Sequence, residues 1–278
     1  MGNQEATEEY RAALRMGQKQ YKDLVAAGRD PYPAVLDDLL PGNANEYQTQ
    51  MIGVADIPAQ LVVGTRSAGR ITAFTAGFLP LLAAGSEFSF KWIRLCDAHL
   101  SDEGIRDPIE CFEYLGKFYV QEGNKRVSVM RYFGAPRITA NIRRILPPKS
   151  DDPQVKAYYE FIEFYKVSKL YTVQYRNPGD YDRLLAELGK DPGEEWTDRE
   201  QKLFSEFATE SDTECTRGNK DSRAGHSFAL AKSICAASNV EEGVAYADKA
   251  NGKICVFRTD KETDRSCGDA EDGKKSSI

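Results

Sequence analysis

The stretch that decides the predicted fold is Phe118–Ala135, which reads Phe-Tyr-Val-Gln-Glu-Gly-Asn-Lys-Arg-Val-Ser-Val-Met-Arg-Tyr-Phe-Gly-Ala. Its first four residues are aromatic or β-branched enough to predict a short strand. Gly123 permits a positive φ and predicts a tight turn. Beyond that glycine, Val127 and Met130 recur at helical spacing, and Gly134 is typical of a helix end. The stretch therefore predicts a strand, a glycine turn and a helix.

This order of elements also predicts an anion site. Free backbone N–H groups at a helix N-terminus, together with Lys125 and Arg126, would converge on one phosphate or carboxylate. Glu122 would position a magnesium ion or a ribose hydroxyl, or it would simply cap its own turn. The alternative is an ordinary strand-to-helix turn whose two cations face water. Spacing alone does not decide between these, because short glycine-rich motifs are weak evidence.

A second stretch with the residue types of a phosphate site is Val63–Arg70, which reads Val-Gly-Thr-Arg-Ser-Ala-Gly-Arg. It is predicted to form a loop that precedes a helix over Thr72–Ala83. In that position, Arg66 and Arg70 would close over a bound phosphate. The alternative is a surface loop whose arginines pair with nearby acids.

Composition and charge limit the possible ligands. The chain has 278 residues, 41% of them hydrophobic, and a net charge of −6. The segment Lys117–Lys149 holds eight cations and one acid, so it carries +7 and the remainder carries −13. A local basic patch on an acidic protein suits a small anionic ligand or nucleotide better than a long polyanion. DNA binding is therefore disfavoured.

Neither a membrane span nor a structural zinc site is predicted. The mean hydropathy is −0.53, and no apolar run approaches the roughly 18 to 20 residues that a span needs. The polar, acidic amino terminus lacks a signal-peptide pattern, which predicts a cytoplasmic protein. The six cysteines form no Cys-x-x-Cys pair, and Cys96 and Cys111 are expected to behave as small core residues.

The same criteria predict the rest of the secondary structure. Helices are expected over Glu8–Ala27, Val35–Leu40, Glu87–Leu100, Gln154–Lys166, Tyr181–Leu188 and from Thr197 to about Thr209. Strands are expected within Ile52–Leu61 and over Ile138–Ile145 and Leu170–Tyr175. The predicted organisation is a helical lead-in (1–50), a central domain (51–148), a helical extension packed on it (149–209) and a tail (210–278).

The tail differs in composition from the rest of the chain. It holds four of the six cysteines and only three aromatic residues. Helices over Phe228–Ala237 and Val244–Ala250 and a strand over Lys253–Arg258 are its best local patterns. A divergent segment, a disordered extension and the product of a shifted reading frame remain alternatives. We favour a poorly ordered tail and assign it no chemistry.

The central domain resembles the ParB/sulfiredoxin-like superfamily. The segment Gly104–Ile109 reads Gly-Ile-Arg-Asp-Pro-Ile and precedes a predicted hairpin, the Gly123 turn, a helix and another strand. In that superfamily a similar segment and hairpin lead into a "G-x-[R/H/K]-R" phosphate-binding box. The resemblance spans about Ile52–Pro147 and places Gly123, Lys125 and Arg126 on the box. It implies an α+β fold with a small mixed sheet, a helical amino-terminal lead-in and a helical carboxy-terminal extension.

A wider resemblance, to about Phe207, is to the amino-terminal region of basic-membrane-protein-type (BMP family) substrate-binding proteins of Firmicute bacteria. Those relatives carry a similar "G-T-x-x-A-G-R" loop, which matches Gly64–Arg70. The carboxy-terminal half that gives those proteins their label has no counterpart in this chain. This resemblance implies a link to ABC transporter substrate-binding proteins.

Two activities of the superfamily do not fit these residues. Asn124 occupies the position of the sulfiredoxin cysteine, so the sulfiredoxin reaction is excluded. ParB proteins that bind CTP carry an acid at that position and a later "E-N-x-x-R" helix. The corresponding helix reads Tyr-Glu-Phe-Ile-Glu over Tyr159–Glu163.

The function predicted from this comparison is a nucleotide- or phosphate-binding domain that acts as a sensor or regulatory module. It would bind CTP or ATP with magnesium, and it would be at most a slow NTPase. The alternative is a non-enzymatic module that recognises a protein partner or a small solute. The predicted ligand-binding residues are Glu122, Gly123, Asn124, Lys125, Arg126, Arg66 and Arg70.

Overall fold

The computed structural model describes residues 2–40, 47–102, 104–202 and 204, together with two strands at 243–247 and 254–258. The helix predicted over Phe228–Ala237 lies outside the described residues. So does the end of the helix predicted to reach Thr209. The expectation of a poorly ordered tail also concerns residues that lie mostly outside them.

The described chain alternates helices with short strands. The helices are α1 (Gly2–Ala26), α2 (Leu36–Leu39), α3 (Glu87–Leu100), α4 (Asn124–Tyr132), α5 (Pro153–Ser168) and α6 (Asp180–Leu188). The strands are β1 (Ala34–Val35), β2 (Thr49–Pro58), β3 (Val62–Thr65), β4 (Ile109–Tyr114), β5 (Lys117–Glu122), β6 (Arg137–Ile145), β7 (Gly243–Ala247) and β8 (Ile254–Arg258). Most of the predicted elements are present within a few residues of their expected bounds.

Six strands form one mixed sheet in the order β1-β3-β5-β4-β6-β2. The pairs β1–β3, β3–β5 and β4–β6 are parallel, whereas β4–β5 and β2–β6 are antiparallel. The two remaining strands, β7 and β8, pair antiparallel with each other. A mixed sheet combined with helices agrees with the predicted α+β class.

The stretch Phe118–Ala135 folds as predicted. Strand β5 ends at Glu122, Gly123 has φ +104°, and α4 begins at the next residue. At the other end, Gly134 has φ +71°, and the amide of Ala135 donates to the carbonyl of Met130 at 2.8 Å. That bond occupies one of the last carbonyls of the helix.

The main core lies on one face of the sheet. Ile109 and Cys111 of β4 point into it, and α5 and α6 cover it with aromatic and aliphatic side chains. Phe112 follows Cys111 in β4, and its side chain points to the opposite face because side chains alternate along a strand. That face packs against α2 through Leu36.

A second core cluster joins α1, α3 and α4. Trp92 is completely buried, and its indole N–H donates to the hydroxyl of Ser128 at 2.9 Å. The ring of Tyr10 from α1 packs edge-on against Trp92, with centroids 5.3 Å apart. Because α1 packs against α3 in this cluster, the helical lead-in contributes to the core rather than standing apart from it.

One buried ion pair links most of these layers. Glu113 on β4 lies beside Arg144 on β6, and both side chains are within 2% of complete burial. The Glu113 carboxylate also accepts from the Tyr158 hydroxyl at 2.7 and 2.8 Å and from the Gly116 amide at 2.8 Å. Arg144 donates to the Tyr171 hydroxyl at 3.1 Å. The pair therefore connects two strands, the β4–β5 turn, α5 and the segment after α5.

Three predicted elements are wrong. Residues Thr72–Ala83 do not form a helix: a 3₁₀ segment ends at Ala73 and a tight turn follows. In that turn the Thr75 hydroxyl accepts from the Leu79 amide at 3.1 Å, and Phe78 has φ +63°. A threonine side chain that bonds to nearby backbone competes with helix formation, which explains the difference.

The other two corrections concern strands. Residues Leu170–Tyr175 have no strand partner in the described part of the chain, although Leu170 and Val173 are buried against the main core. The apolar residues of this segment are therefore explained by packing on the main core rather than by a sheet. The helix predicted over Val244–Ala250 is replaced by β7, whereas the strand predicted over Lys253–Arg258 is confirmed as β8.

We predict that Glu113→Gln lowers the free energy of unfolding by about 3–5 kcal/mol, because it leaves Arg144 charged, buried and without its counter-ion. Burial lowers the pKa of Arg144, but the combined effects of Glu113, Tyr171 and Tyr158 outweigh burial and raise it. Urea unfolding at neutral pH measures the change.

The double variant Glu113→Leu/Arg144→Met is the control for this prediction. It leaves no buried charge, so we expect it to recover most of the stability lost in the single variant. A loss below about 1 kcal/mol in Glu113→Gln, as for a surface pair, would contradict this account.

Candidate functional site

The N-terminus of α4 presents unused backbone donors. The Val127 amide makes the first helical bond, to the carbonyl of Gly123 at 3.0 Å. The amides of Asn124, Lys125 and Arg126 precede it and have no acceptor among the described residues. Gly123 has no side chain to cap them, so three N–H groups and the positive end of the helix dipole remain available.

The glycine of the predicted box is required by the fold. Its φ of +104° is a conformation that residues with a side chain rarely adopt. A Cβ atom at Gly123 would also lie 2.7 Å from Cγ2 of Ile109. The turn therefore needs glycine in order to pack against the start of β4, whether or not an anion binds.

Arg126 is bound to the protein itself. Its guanidinium donates to the carbonyl of Asp107 at 3.2 Å and to that of Pro108, and it also donates to the Glu122 carboxylate at 3.3 Å. Only 17% of its side chain is exposed. Arg126 thus fixes the segment before β4 to the start of α4, while 73% of the Glu122 side chain remains exposed.

Lys125 points toward the start of α3. Its ammonium lies 5.1 Å from the ring centroid of Phe88, the second residue of that helix. Burial lowers the pKa of Lys125, and the positive charges of Arg70 and Lys91 lower it further, whereas Glu87 acts in the opposite direction. Like charges are therefore held close enough to destabilise one another.

Glu87 interacts electrostatically with all three of these cations. It forms an ion pair with Lys91 at 2.6 Å, and this contact, together with weaker effects of Arg70 and Lys125, lowers the pKa of the Glu87 carboxyl. We call Arg70, Lys91, Lys125 and Glu87 the basic cluster. It contains three cations and one acid and carries a net charge of +2.

The packing of α3 on α4 places both helix N-termini beside the basic cluster. Contacts advance along the two helices in the same order, from Phe88 with Lys125, through Trp92 with Ser128, to a pair of aromatic rings near the ends. The helices therefore run parallel. The start of α3 is already capped, because the hydroxyl of Ser86 accepts from the amide of Ser89 at 3.2 Å. The uncapped start is that of α4.

The box also contains a buried acceptor without a partner. The side-chain oxygen of Asn124 is inaccessible and makes no hydrogen bond. Leaving such an atom unpaired costs about 1–3 kcal/mol. Because this oxygen is buried, it is not exposed to a ligand in this arrangement.

The predicted site residues are only partly brought together. Arg70 joins Lys125 in the basic cluster. Arg66, in contrast, stacks over Phe112 with its guanidinium carbon 4.5 Å from the ring centroid, and it lies 4.0 Å from the carboxylate of Asp37. Since Phe112 lies on the opposite face of the sheet from α4, Arg66 is separated from the cluster. Its pairing with Asp37 matches the alternative interpretation of that loop.

Two members of the basic cluster were missed from the sequence. The sequence places Glu87 and Lys91 only within the helix predicted over Glu87–Leu100. Their spacing of four residues predicts an ion pair on one helix face. Their proximity to Lys125 depends on the parallel packing of α3 on α4, and nothing in the local pattern reports that packing.

Two cavities of the described structure lie away from the basic cluster. A groove of about 730 Å³ separates the start of α1 from α3, and a second of about 500 Å³ lies near Tyr21 and Tyr32. Neither includes a member of the basic cluster, which is an open surface feature. In the described parts of the chain, no group of three or more His, Cys, Asp or Glu residues is placed to hold a metal ion.

No described helix combines the length and the apolar character that crossing a membrane requires. Comparison of the chain with protein-family models, with curated proteins and with solved structures gives no match. The resemblance to the ParB/sulfiredoxin-like superfamily therefore stays a prediction, supported by the box residues and compatible with the mixed sheet.

The two cations of the box should behave differently when removed. We predict that Arg126→Met lowers the free energy of unfolding by about 1–3 kcal/mol, because the carbonyls of Asp107 and Pro108 lose their charged donor. Lys125→Met keeps an apolar stem against Phe88 and removes a destabilised charge, so its stability should stay within about 1 kcal/mol of the parent protein. Urea unfolding without ligand tests both variants, and equal losses would contradict the different roles assigned to them.

Proposed function

We propose that this protein is a phosphate- or nucleotide-binding module that holds its anion at the N-terminus of α4. The observation that carries the proposal is the arrangement of Arg70 and Lys125. They come from separate parts of the chain, the charge of Arg70 lowers the pKa of Lys125, and Lys125 belongs to a helix start whose three backbone amides have no acceptor among the described residues. An anion bound there would relieve the repulsion between the two cations and accept from the free amides.

The helix dipole and the charged hydrogen-bond donors favour a compact anion. The helix dipole contributes about 0.3–1 kcal/mol toward an anion at an exposed site. Hydrogen bonds from charged donors to phosphate add about 1.5–3 kcal/mol each. Glu87 reduces the attraction, because it already neutralises part of the cluster through Lys91. A ligand with several negative charges, such as a polyphosphate, therefore fits the site better than a monocarboxylate.

A nucleotide would use one further group near the start of α4. The exposed carboxylate of Glu122 would bind a magnesium ion carried by the phosphates. The resemblance to the ParB-like box supports this assignment. Because no general base is identified among these residues, we assign a sensor or regulatory role with at most slow NTP hydrolysis.

The second candidate is a non-enzymatic interaction or solute-binding module, of the kind implied by the resemblance to BMP family proteins. Its support is that Gly123 and Arg126 both have complete structural explanations: Ile109 packing and carbonyl binding, respectively. If Gly123 and Arg126 serve only to stabilise the fold, the box does not need to bind phosphate. The two candidates differ in what Lys125 and Arg70 do.

A thermal-shift panel of CTP, ATP, GTP and tripolyphosphate, each with and without magnesium, separates the candidates. We expect at least one polyphosphate to raise Tm and expect Lys125→Met and Arg70→Gln to remove the shift. These variants retain the structural contacts of Arg126, so the readout is not confounded by loss of folding.

The matched control is Lys156→Met, which removes an exposed lysine paired with Asp151, away from the cluster. It should leave the ligand-induced shift unchanged. A flat panel for the parent protein, or an equal loss in the control, would exclude the α4 site and favour the interaction module.

The pKa of Lys125 gives an independent prediction. In the free protein it lies below the ordinary lysine value, so in the pH range between the two values Lys125 is partly neutral. A bound anion raises that pKa, and the complex takes up protons. We predict that affinity falls as the pH rises through this alkaline range, where the phosphates themselves are fully ionised.

Calorimetry in two buffers of different ionisation enthalpy measures this proton uptake. Lys125→Met should abolish it. Uptake that persists in the variant would show that another group titrates, and an affinity that rises with pH would contradict the role of Lys125.

A further inference from the structure

The groove of about 730 Å³ between α1 and α3 is lined by apolar side chains and by two arginines, a combination that suits a second binding site. Its apolar part is formed by Tyr10 of α1 together with Phe90 and Ile93 of α3. Phe90 is 60% exposed, which is unusual for a phenylalanine on a helix whose neighbouring Phe88 and Trp92 are buried. The groove is therefore where α3 presents an aromatic side chain to solvent.

Both charged residues that line the groove are arginines. Arg11 lies on α1 and Arg94 on α3, so the groove has one guanidinium on each helix. Neither arginine has an ion pair or a hydrogen bond within the described residues. Glu8, a neighbour of Arg11 on the helix surface, is exposed and lies outside the groove lining.

Two acids of α1, Glu5 and Glu9, act on its other side. Glu9 accepts from the hydroxyl of Tyr132 on α4, and the charges of Glu9 and Glu5 both act on the buried thiol of Cys96, whose pKa burial raises to about 12. In contrast, Gln4 and Arg11 line the groove. Neither of these two acids therefore neutralises Arg11 in the groove.

We propose that this groove binds a small organic anion with an apolar body, of the class of medium-chain or aromatic carboxylates. Pockets for such molecules typically measure about 300–1,000 Å³ and combine apolar walls with a few polar groups. The aromatic and aliphatic side chains bind the body. The two guanidinium groups bind the carboxylate, since arginine matches its planar geometry. This site is independent of the anion proposed at α4.

Decanoate is the probe for the experiment, and the full chain is titrated by calorimetry. We expect decanoate to bind and 1-decanol and acetate to bind much more weakly, because one lacks the charge and the other lacks the apolar body. The double variant Arg11→Gln/Arg94→Gln should weaken decanoate binding by at least about tenfold, the effect of losing one charge-assisted hydrogen bond.

The control variant is Arg29→Gln, which removes an exposed arginine just beyond the end of α1 and outside the groove. It should bind decanoate like the parent protein. A second variant, Ala84→Trp, fills the groove without changing its charge and should also block binding. Both groove variants should retain the cooperative thermal unfolding of the parent protein without ligand, which shows that they fold.

Four outcomes would overturn the proposal. Equal binding of decanol and decanoate would show an apolar surface without anion recognition. Equal weakening by Arg29→Gln would show non-specific attraction by surface charge. Absence of decanoate binding would show that the groove does not bind this class of anion. Dimerisation of the free protein that Ala84→Trp disrupts in light scattering would show that the groove serves contacts between copies of this chain.

Discussion

The buried pair of Glu113 and Arg144 is the constraint on which the rest of the structure depends. Its charges lie on neighbouring strands of the sheet, and two tyrosine hydroxyls from the layer above complete their hydrogen bonds. A buried charge without its partner is far costlier than a misplaced apolar side chain. The pair therefore fixes both the register of β4 against β6 and the position of α5 on the sheet.

That register also determines where the anion site forms. Strand β4 begins at Ile109, whose side chain contacts Gly123, and the carbonyls just before it receive Arg126. These contacts set the direction in which α4 leaves the sheet. Parallel packing on α3 then brings Lys125 to Arg70 and places an uncapped helix N-terminus beside them. The box residues thus divide into those that build the turn and one, Lys125, that is available to a ligand.

The sequence predicted local structure well where a residue type strongly prefers one backbone conformation. Aromatic and β-branched residues predict β5, and the tolerance of glycine for a positive φ predicts the turn at Gly123. The helical spacing of apolar residues predicts α4. Prediction failed for Thr72–Ala83, because a helix-like run of apolar residues was outweighed by the hydrogen bonds of the Thr75 side chain to a turn. At the site, Arg126 could not be separated from Lys125 by spacing. Their roles differ through contacts with β4 and α3, which are distant in sequence.

The most direct test of the account is to map a polyphosphate titration on the backbone amides by ¹H–¹⁵N NMR. The account predicts that tripolyphosphate shifts the amide signals of Asn124, Lys125 and Arg126 most strongly, and that these changes disappear in Lys125→Met. Signals near Arg66, on the other face of the sheet, should remain unchanged. Shifts that centre on Arg66, or on the groove between α1 and α3, would contradict the assignment of the anion to the N-terminus of α4.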